Sequence, residues 1–349
     1  MEPKETLMFD AAALAGDEIL SIPEDQPERL FGSPEELASR YRALAMWWHP
    51  DHASLRGAKT AEVFQWIAKL HSKAREKLAH GFWRTPGWIE FHASNGTLHR
   101  MSNVREFDFG IGEGYRGLDL VAYALKSEFA DLIGSALRLT ANLSYQSEEM
   151  RGMMSLRLPH QRENFEIGDR IVLVVDKPVA MIRLRDLHEY LGKQMDAKHV
   201  AWILSELLNI ACYLDWAGLV HGDISLDNIF VDPKKHTASL LGGWWYAMPA
   251  ESRLAALPSR TVAVMPRDAL ENKRANPRIT LNGIRLLGQE LLGANTAVPK
   301  SFSTWLRLPA PDSALQDYSD WQTILADSFG PRRFAELSVS TSDIYKEGR

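Results

Sequence analysis

His221-Gly222-Asp223-Ile224-Ser225-Leu226-Asp227-Asn228-Ile229-Phe230-Val231, followed by Leu240-Leu241-Gly242-Gly243, is the stretch on which the reading of this chain turns. Asp223 stands five residues ahead of Asn228, after an apolar helical pattern and before the β-rich run Ile229-Phe230-Val231. That order sets a carboxylate and a side-chain amide on one short loop facing a cleft. Working outward, Lys198 to Trp216 carries apolar residues at Val200, Ile203, Leu204, Leu207 and Leu208 and stops at Gly218, as a helix with one buried face does. Ile171 to Val175 reads as a short buried strand closed by Pro178, and Leu184 to Leu191 as a short helix. Gly110-Ile111-Gly112-Glu113-Gly114 precedes the strand-like Ala122-Tyr123-Ala124-Leu125-Lys126.

This order of elements resembles the protein-kinase fold, and His221 to Asn228 matches its H-x-D-x-x-x-x-N catalytic loop. The resemblance implies that Asp223 holds the place of the base that receives a hydroxyl proton, and Asn228 that of a magnesium ligand. Thirteen residues beyond Asn228, where the resemblance puts the magnesium Asp of D-F-G, stands Leu241. A hydrocarbon offers no oxygen to a cation that demands near-octahedral oxygen coordination, so Asp223 is expected to be a vestigial base and Asn228 a vestigial metal ligand. By the same resemblance Lys126 is the phosphate-gripping lysine of V-A-I-K, and Glu149 is the αC glutamate that pairs with it; both read equally as surface charges. The glycine stretch 110–117 lacks G-x-G-x-x-G-x-V spacing and reads as a phosphate-covering loop or as a plain β-turn. Gly222 replaces the Arg of H-R-D, Met265-Pro266-Arg267 stands at A-P-E, and the αF aspartate position falls near Thr280 in the helix Leu281 to Leu292. Too few residues follow that helix for a full large lobe. Trp244-Trp245 are expected to fill the cleft, with an exposed docking patch as the other arrangement.

A second pattern lies near the start of the chain. Ser33-Pro34-Glu35-Glu36 opens a helix with Leu37, Tyr41, Leu44 and Trp48 on one face; Trp47 is placed in the core, and His49-Pro50-Asp51 ends the helix. A second amphipathic helix from Thr60 to Leu78 follows, with Val63, Ile67, Leu70 and Ala74 on one side. This hairpin resembles the J domain of DnaJ-type co-chaperones, and Tyr41-Arg42-x-Leu44-Ala45 fits the family's Y-R-x-L-A. The resemblance implies docking on a DnaK-type chaperone through His49, Pro50, Asp51, Arg42 and Arg40. With Glu35 and Glu36 counted, residues 34–48 are formally neutral, which weakens electrostatic steering.

The fold class expected is multidomain, α and α+β: a J-like helical hairpin followed by a bilobal protein-kinase-like fold with a truncated C-lobe. The boundaries expected are an N-terminal extension 1–32, the J-like domain 33–81, the kinase-like N-lobe 88–178 and the C-lobe 179–349, with a turn at Gly81 to Gly87. A net charge of −5 leaves no basic footprint, which excludes nucleic acid as the main partner. The single cysteine, a start without a signal-peptide pattern and the absence of an apolar run of 18 residues give no disulfide framework, no membrane partner and a cytoplasmic location as expectations. The function these residues imply is a non-catalytic co-chaperone or adaptor that joins a DnaK-type chaperone to a protein client, needing no cofactor. The other reading is an atypical phosphotransferase that uses ATP and Mg through Asp223 and Asn228, with Asp215 or Asp232 replacing the lost carboxylate.

Overall fold

The structure, a computed structural model, describes residues 9–24, 26–52, 59–79, 82–85, 88–102, 105–295 and 297–345. Its chain divides into two units: residues up to Arg105 with Phe165–Val172, and Glu106–Asn164 with the residues from Leu173 onward.

In the first unit, α1 (Gly16–Leu20) and α2 (Glu28–Phe31) lead into α3 (Leu37–Trp47) and α4 (Thr60–Ala79). Leu44, Val63, Ile67, Leu70 and Ala74 are fully buried, as their helical spacing predicts. Trp47 is half-buried against this core, and Tyr41 stacks on His71 at 3.7 Å. The helix begins at Leu37 and not at Ser33: residues 33–36 form a preceding turn in which the Glu36 carboxylate accepts the Ser33 N–H (3.0 Å). Two boundaries also differ from expectation. Residues before 33 are no appendage, because Ile19, Leu30 and Phe31 lie in the same core as α3 and α4. The strands β1 (Phe82–Thr85), β2 (Trp88–His92) and β3 (Leu98–Ser102) form their own antiparallel sheet and belong to this unit; Trp83, fully buried, donates its indole N–H to Gly32 O (2.9 Å). The division therefore falls at 105/106, well after the turn expected at 81–87, where Gly81 and Gly87 lie outside the described residues.

From Glu106 the second unit carries β4 (Arg105–Asp108), β5 (Gly112–Arg116) and β6 (Leu120–Lys126), then α5 (Ala130–Ala141) and α6 (Glu148–Met154), then β7 (Gln161–Ile167) and β8 (Arg170–Asp176), of which Phe165–Val172 is counted with the first unit. Its sheet order is β4-β5-β6-β8-β7, with α5 inserted after the third strand. A helical half follows: β9 (Ile182–Arg183), α7 (Leu184–Tyr190), α8 (Ala197–Trp216), β10 (Leu219–His221), β11 (Ile229–Asp232), β12 (Thr237–Leu240), β13 (Ala247–Pro249), α9 (Ser259–Val262), α10 (Arg267–Asn272), α11 (Pro277–Leu292), α12 (Lys300–Trp305), α13 (Ala314–Phe329) and α14 (Thr341–Ile344). α8 is the central post, packed against α11 and α13 because eleven of its residues are buried. This five-stranded sheet followed by a helical half is the kinase-like arrangement expected, and α12, α13 and α14 follow α11 among the described residues. Among the described residues, no helix is long and apolar enough to cross a membrane.

Under the central helix, Arg285 of α11 donates to both oxygens of Asp317 of α13 at 2.6 and 2.7 Å. The Trp305 N–H binds the same carboxylate (3.2 Å), and both charged side chains are buried. Removing one partner strands a buried charge. Asp317→Ala is expected to cost about 3–5 kcal/mol, read as a lowered urea midpoint, whereas Arg285→Met with Asp317→Leu recovers most of it.

Candidate functional site

β10 ends in His221, which is fully enclosed. Its backbone N–H donates to the Thr280 hydroxyl (2.9 Å), and that hydroxyl donates back to His221 O (3.2 Å). Thr280 thus anchors the loop from α11. The His221 ring accepts the Asp223 N–H at Nδ1 (3.2 Å) and donates from Nε2 to Gly242 O (3.2 Å), so it bridges the loop and the segment after β12. Burial holds the imidazole neutral and lowers its pKa to about 3.

Asp223 and Asn228 are brought together as their spacing implied. Asn228 Nδ2 donates toward Asp223 Oδ2 (2.7 Å), Asp223 O (3.1 Å) and Ser225 Oγ (2.9 Å). The other carboxylate oxygen, Oδ1, faces Arg260 Nη1 at 3.9 Å; Arg260 is itself held by Ile224 O and by Glu290 (2.7 Å). Burial raises the Asp223 carboxyl above the ordinary aspartate range, against the opposing pull of Arg260. Gly222 is required by contact: a side chain there would collide with Leu257 and with Tyr246 O (2.6 Å).

The segment after β12 closes on the same asparagine. Leu241 N–H and Gly242 N–H both donate to Asn228 O, at 3.0 and 3.1 Å, and the Leu241 side chain is buried. A Cβ at 242 would stand 2.5 Å from Asn228 Oδ1 and 2.7 Å from the Tyr123 hydroxyl, so only glycine fits between them. Tyr123, from β6, brings its hydroxyl to Gly242, and that hydroxyl is buried without a hydrogen-bond partner among the described residues. Around it Trp245 meets Phe109 at 4.8 Å and Tyr123 at 5.1 Å between centroids, while Phe107 lies 6.2 Å from Tyr123. The Phe107 ring takes the space that a side chain at Gly114 would need, and Arg183 covers Phe107 at 4.1 Å. Trp244 sits edge-on to His221 at 5.3 Å and donates to Leu240 O (2.9 Å). Both tryptophans are buried, so they form no exposed patch.

Other expected site residues fall elsewhere. Lys126 is half-exposed at the end of β6, with Glu128 as a neighbour at 4.0 Å. Side chains alternate along a strand, so with Tyr123 facing inward, Lys126 three residues on points to the opposite side. The helix after β6 is α5, whose sequence contains no glutamate; Glu149 is exposed in the first turn of the separate α6. The Lys126–Glu149 pair is therefore not formed. Gly110, at positive φ, lies in the bend between β4 and β5, while Gly112 and Gly114 lie within β5. Asp215 accepts the Ala314 N–H (2.9 Å) at the start of α13, and Asp232 accepts Lys234 and Lys235 N–H groups (3.1 and 3.2 Å), so both carboxylates serve turns and helix ends instead of the cleft. Among the described residues, no group of three His, Cys, Asp or Glu is placed to hold a metal ion.

Two residues with buried or paired charges escaped sequence reading. Asp227 is gripped by Arg183 (3.1 Å) and by Nε and Nη2 of Arg185. Lys177, after β8, is buried with its ammonium donating to Leu118 O (2.7 Å), Pro178 O (3.0 Å) and Met181 O (3.3 Å), and burial lowers its pKa to about 8. Nothing in a lone lysine before proline signals such burial.

In the first unit, His49-Pro50-Asp51 forms the turn after α3, with Pro50–His52 in a short 3-10 helix. His49 Nδ1 lies 3.2 Å from Asp51 Oδ2, the two side chains are 48% and 83% exposed, and the His49 ring stands edge-on to Phe64 of α4 at 5.6 Å. Arg42 is exposed on α3; Arg40 is tied to Glu36 (3.1 Å) and covers Phe9.

No family model matches this chain, and no curated protein matches it. Solved structures do resemble it. The BubR1 kinase domain aligns over 71% of this chain and 83% of its own length, with 12% identity and a TM-score of 0.47. The kinase domain of PF14_0431 aligns over 62% and 68%, with 11% identity and a TM-score of 0.46.

His221 generates a pH prediction. The unfolded chain protonates this histidine below its ordinary value of 6.5, whereas the folded chain resists protonation down to about 3. Its contribution to stability is therefore complete above pH 6.5 and is lost as pH falls between those values, by about 1.4 kcal/mol per pH unit. Urea midpoints measured from pH 8 to 4 should show this slope, and His221→Phe should flatten it. A second variant, Trp245→Ala, is expected to cost about 3–5 kcal/mol by leaving a cavity among Phe109 and Tyr123, read by thermal unfolding.

Proposed function

We propose that this chain is a J-domain-containing pseudokinase, a non-catalytic co-chaperone or adaptor that engages a DnaK-type chaperone through its first unit and a protein client through its second. The observation that carries the pseudokinase half is the packing beside Asn228: the place of the metal carboxylate holds buried Leu241, and the Tyr123 hydroxyl stands next to Gly242. An oxygen-demanding cation finds a hydrocarbon there, and the aromatic rings of Phe109, Tyr123 and Trp245 take up room that a nucleotide needs. The exposed turn of His49, Pro50 and Asp51 between two packed helices supports the chaperone half.

The phosphotransferase reading retains one specific support, the contact of Asn228 with an Asp223 carboxyl whose proton affinity is raised. Calorimetric titration of the full chain with Mg-ATP separates the two: the adaptor reading expects no heat of binding, and saturable binding with Asp223-dependent phosphate transfer would replace it. In a steady-state assay with a DnaK-type chaperone, the chain is expected to raise ATP turnover several-fold and His49→Gln to abolish the rise. Equal stimulation by that variant, or none by the parent chain, removes the co-chaperone assignment.

A further inference from the structure

Tyr345 follows α14, whose first turn is closed by the Asp343 carboxylate accepting the Ser340 N–H (2.8 Å) and hydroxyl (2.6 Å). The Tyr345 ring lies against the Arg116 guanidinium at 3.5 Å. Its hydroxyl donates to Asp186 Oδ2 (2.7 Å) and accepts the Arg183 backbone N–H (3.1 Å). Arg116, Arg183 and Asp186 are all buried. Arg116 belongs to β5 of the sheet; Arg183 and Asp186 belong to β9 and α7 of the helical half. One aromatic side chain therefore touches both halves of the second unit. Contacts continue inward from it, since Arg183 bridges Asp186 (2.7 Å) and Asp227 (3.1 Å) and covers Phe107 of the aromatic cluster.

We propose that Ser340–Tyr345 is a cis-acting strap that holds the sheet and the helical half of the second unit closed over the Phe107, Phe109, Tyr123 and Trp245 cluster. The chemistry is that of a releasable latch. A cation–π contact with Arg116 and two hydrogen bonds to Arg183 and Asp186 join one short segment to the rest, and Arg183, Asp186 and Asp227 are paired among themselves, so the strap lifts without breaking that network. An anionic group in place of the hydroxyl proton would face the Asp186 carboxylate and disfavour the closed position. The inference stands whether or not the cleft accepts a nucleotide.

Hydrogen exchange on the full chain tests it, comparing the parent with Tyr345→Phe, which keeps the ring, and Tyr345→Ala. Exchange in segments 107–116 and 182–186 is expected to quicken about tenfold in the phenylalanine variant and further in the alanine variant, with α8 unchanged. The apolar dye anilinonaphthalene sulfonate should fluoresce more strongly with Tyr345→Ala as the cluster becomes accessible. Unchanged exchange in both segments, or acceleration spread equally through α8, overturns the strap. If Tyr345→Ala fails to fold, the phenylalanine variant decides alone.

Discussion

Asn228 joins the two polypeptide segments on which the second unit depends. Its side-chain nitrogen holds Asp223 and Ser225, and its backbone oxygen receives the N–H groups of Leu241 and Gly242. These bonds are buried, where the lack of a competing water makes an unmade partner expensive. They set the direction in which the chain leaves β12, and the left-handed Gly243 then turns Trp244 and Trp245 inward, one onto His221 and the other onto Tyr123. The aromatic cluster is therefore a consequence of the loop's hydrogen bonding.

Polar residues of the second unit are committed to the protein's own backbone and side chains. Thr280 binds both backbone groups of His221, Asp227 is held by two arginines, and Lys177 gives its protons to three carbonyls. Each arrangement satisfies a polar group that would otherwise destabilise the fold. Asp223 stands apart, with one oxygen bound to Asn228 and the other facing Arg260 across 3.9 Å.

Features carried by local periodicity were legible. The apolar spacing through Val200, Leu204 and Leu208 marks α8 almost to the residue, and the same spacing in Leu44, Val63, Ile67 and Leu70 marks the helical pair of the first unit. The loop from His221 to Asn228 was legible because its chemistry depends on a fixed short spacing. Lys126 was misplaced because an apolar run does not reveal which strand parity faces inward, and a shift of one residue reverses the side. Glu149 failed for a different reason: the helix after β6 is recognised by its place beside Trp244–Tyr246, a contact between residues far apart in the chain.

From the amino-acid order alone come the two-part organisation, the helices, the paired Asp223 and Asn228, and the hydrocarbon at position 241, since each depends on residue type at short range. Tertiary structure alone decides that β1–β3 join the helical unit, that Tyr123 and not Lys126 packs beside Gly242, and that Tyr345 returns to Arg116 and Asp186. Those outcomes rest on packing and hydrogen bonds between distant segments, whose partners become neighbours only when the hydrophobic core has brought the chain together.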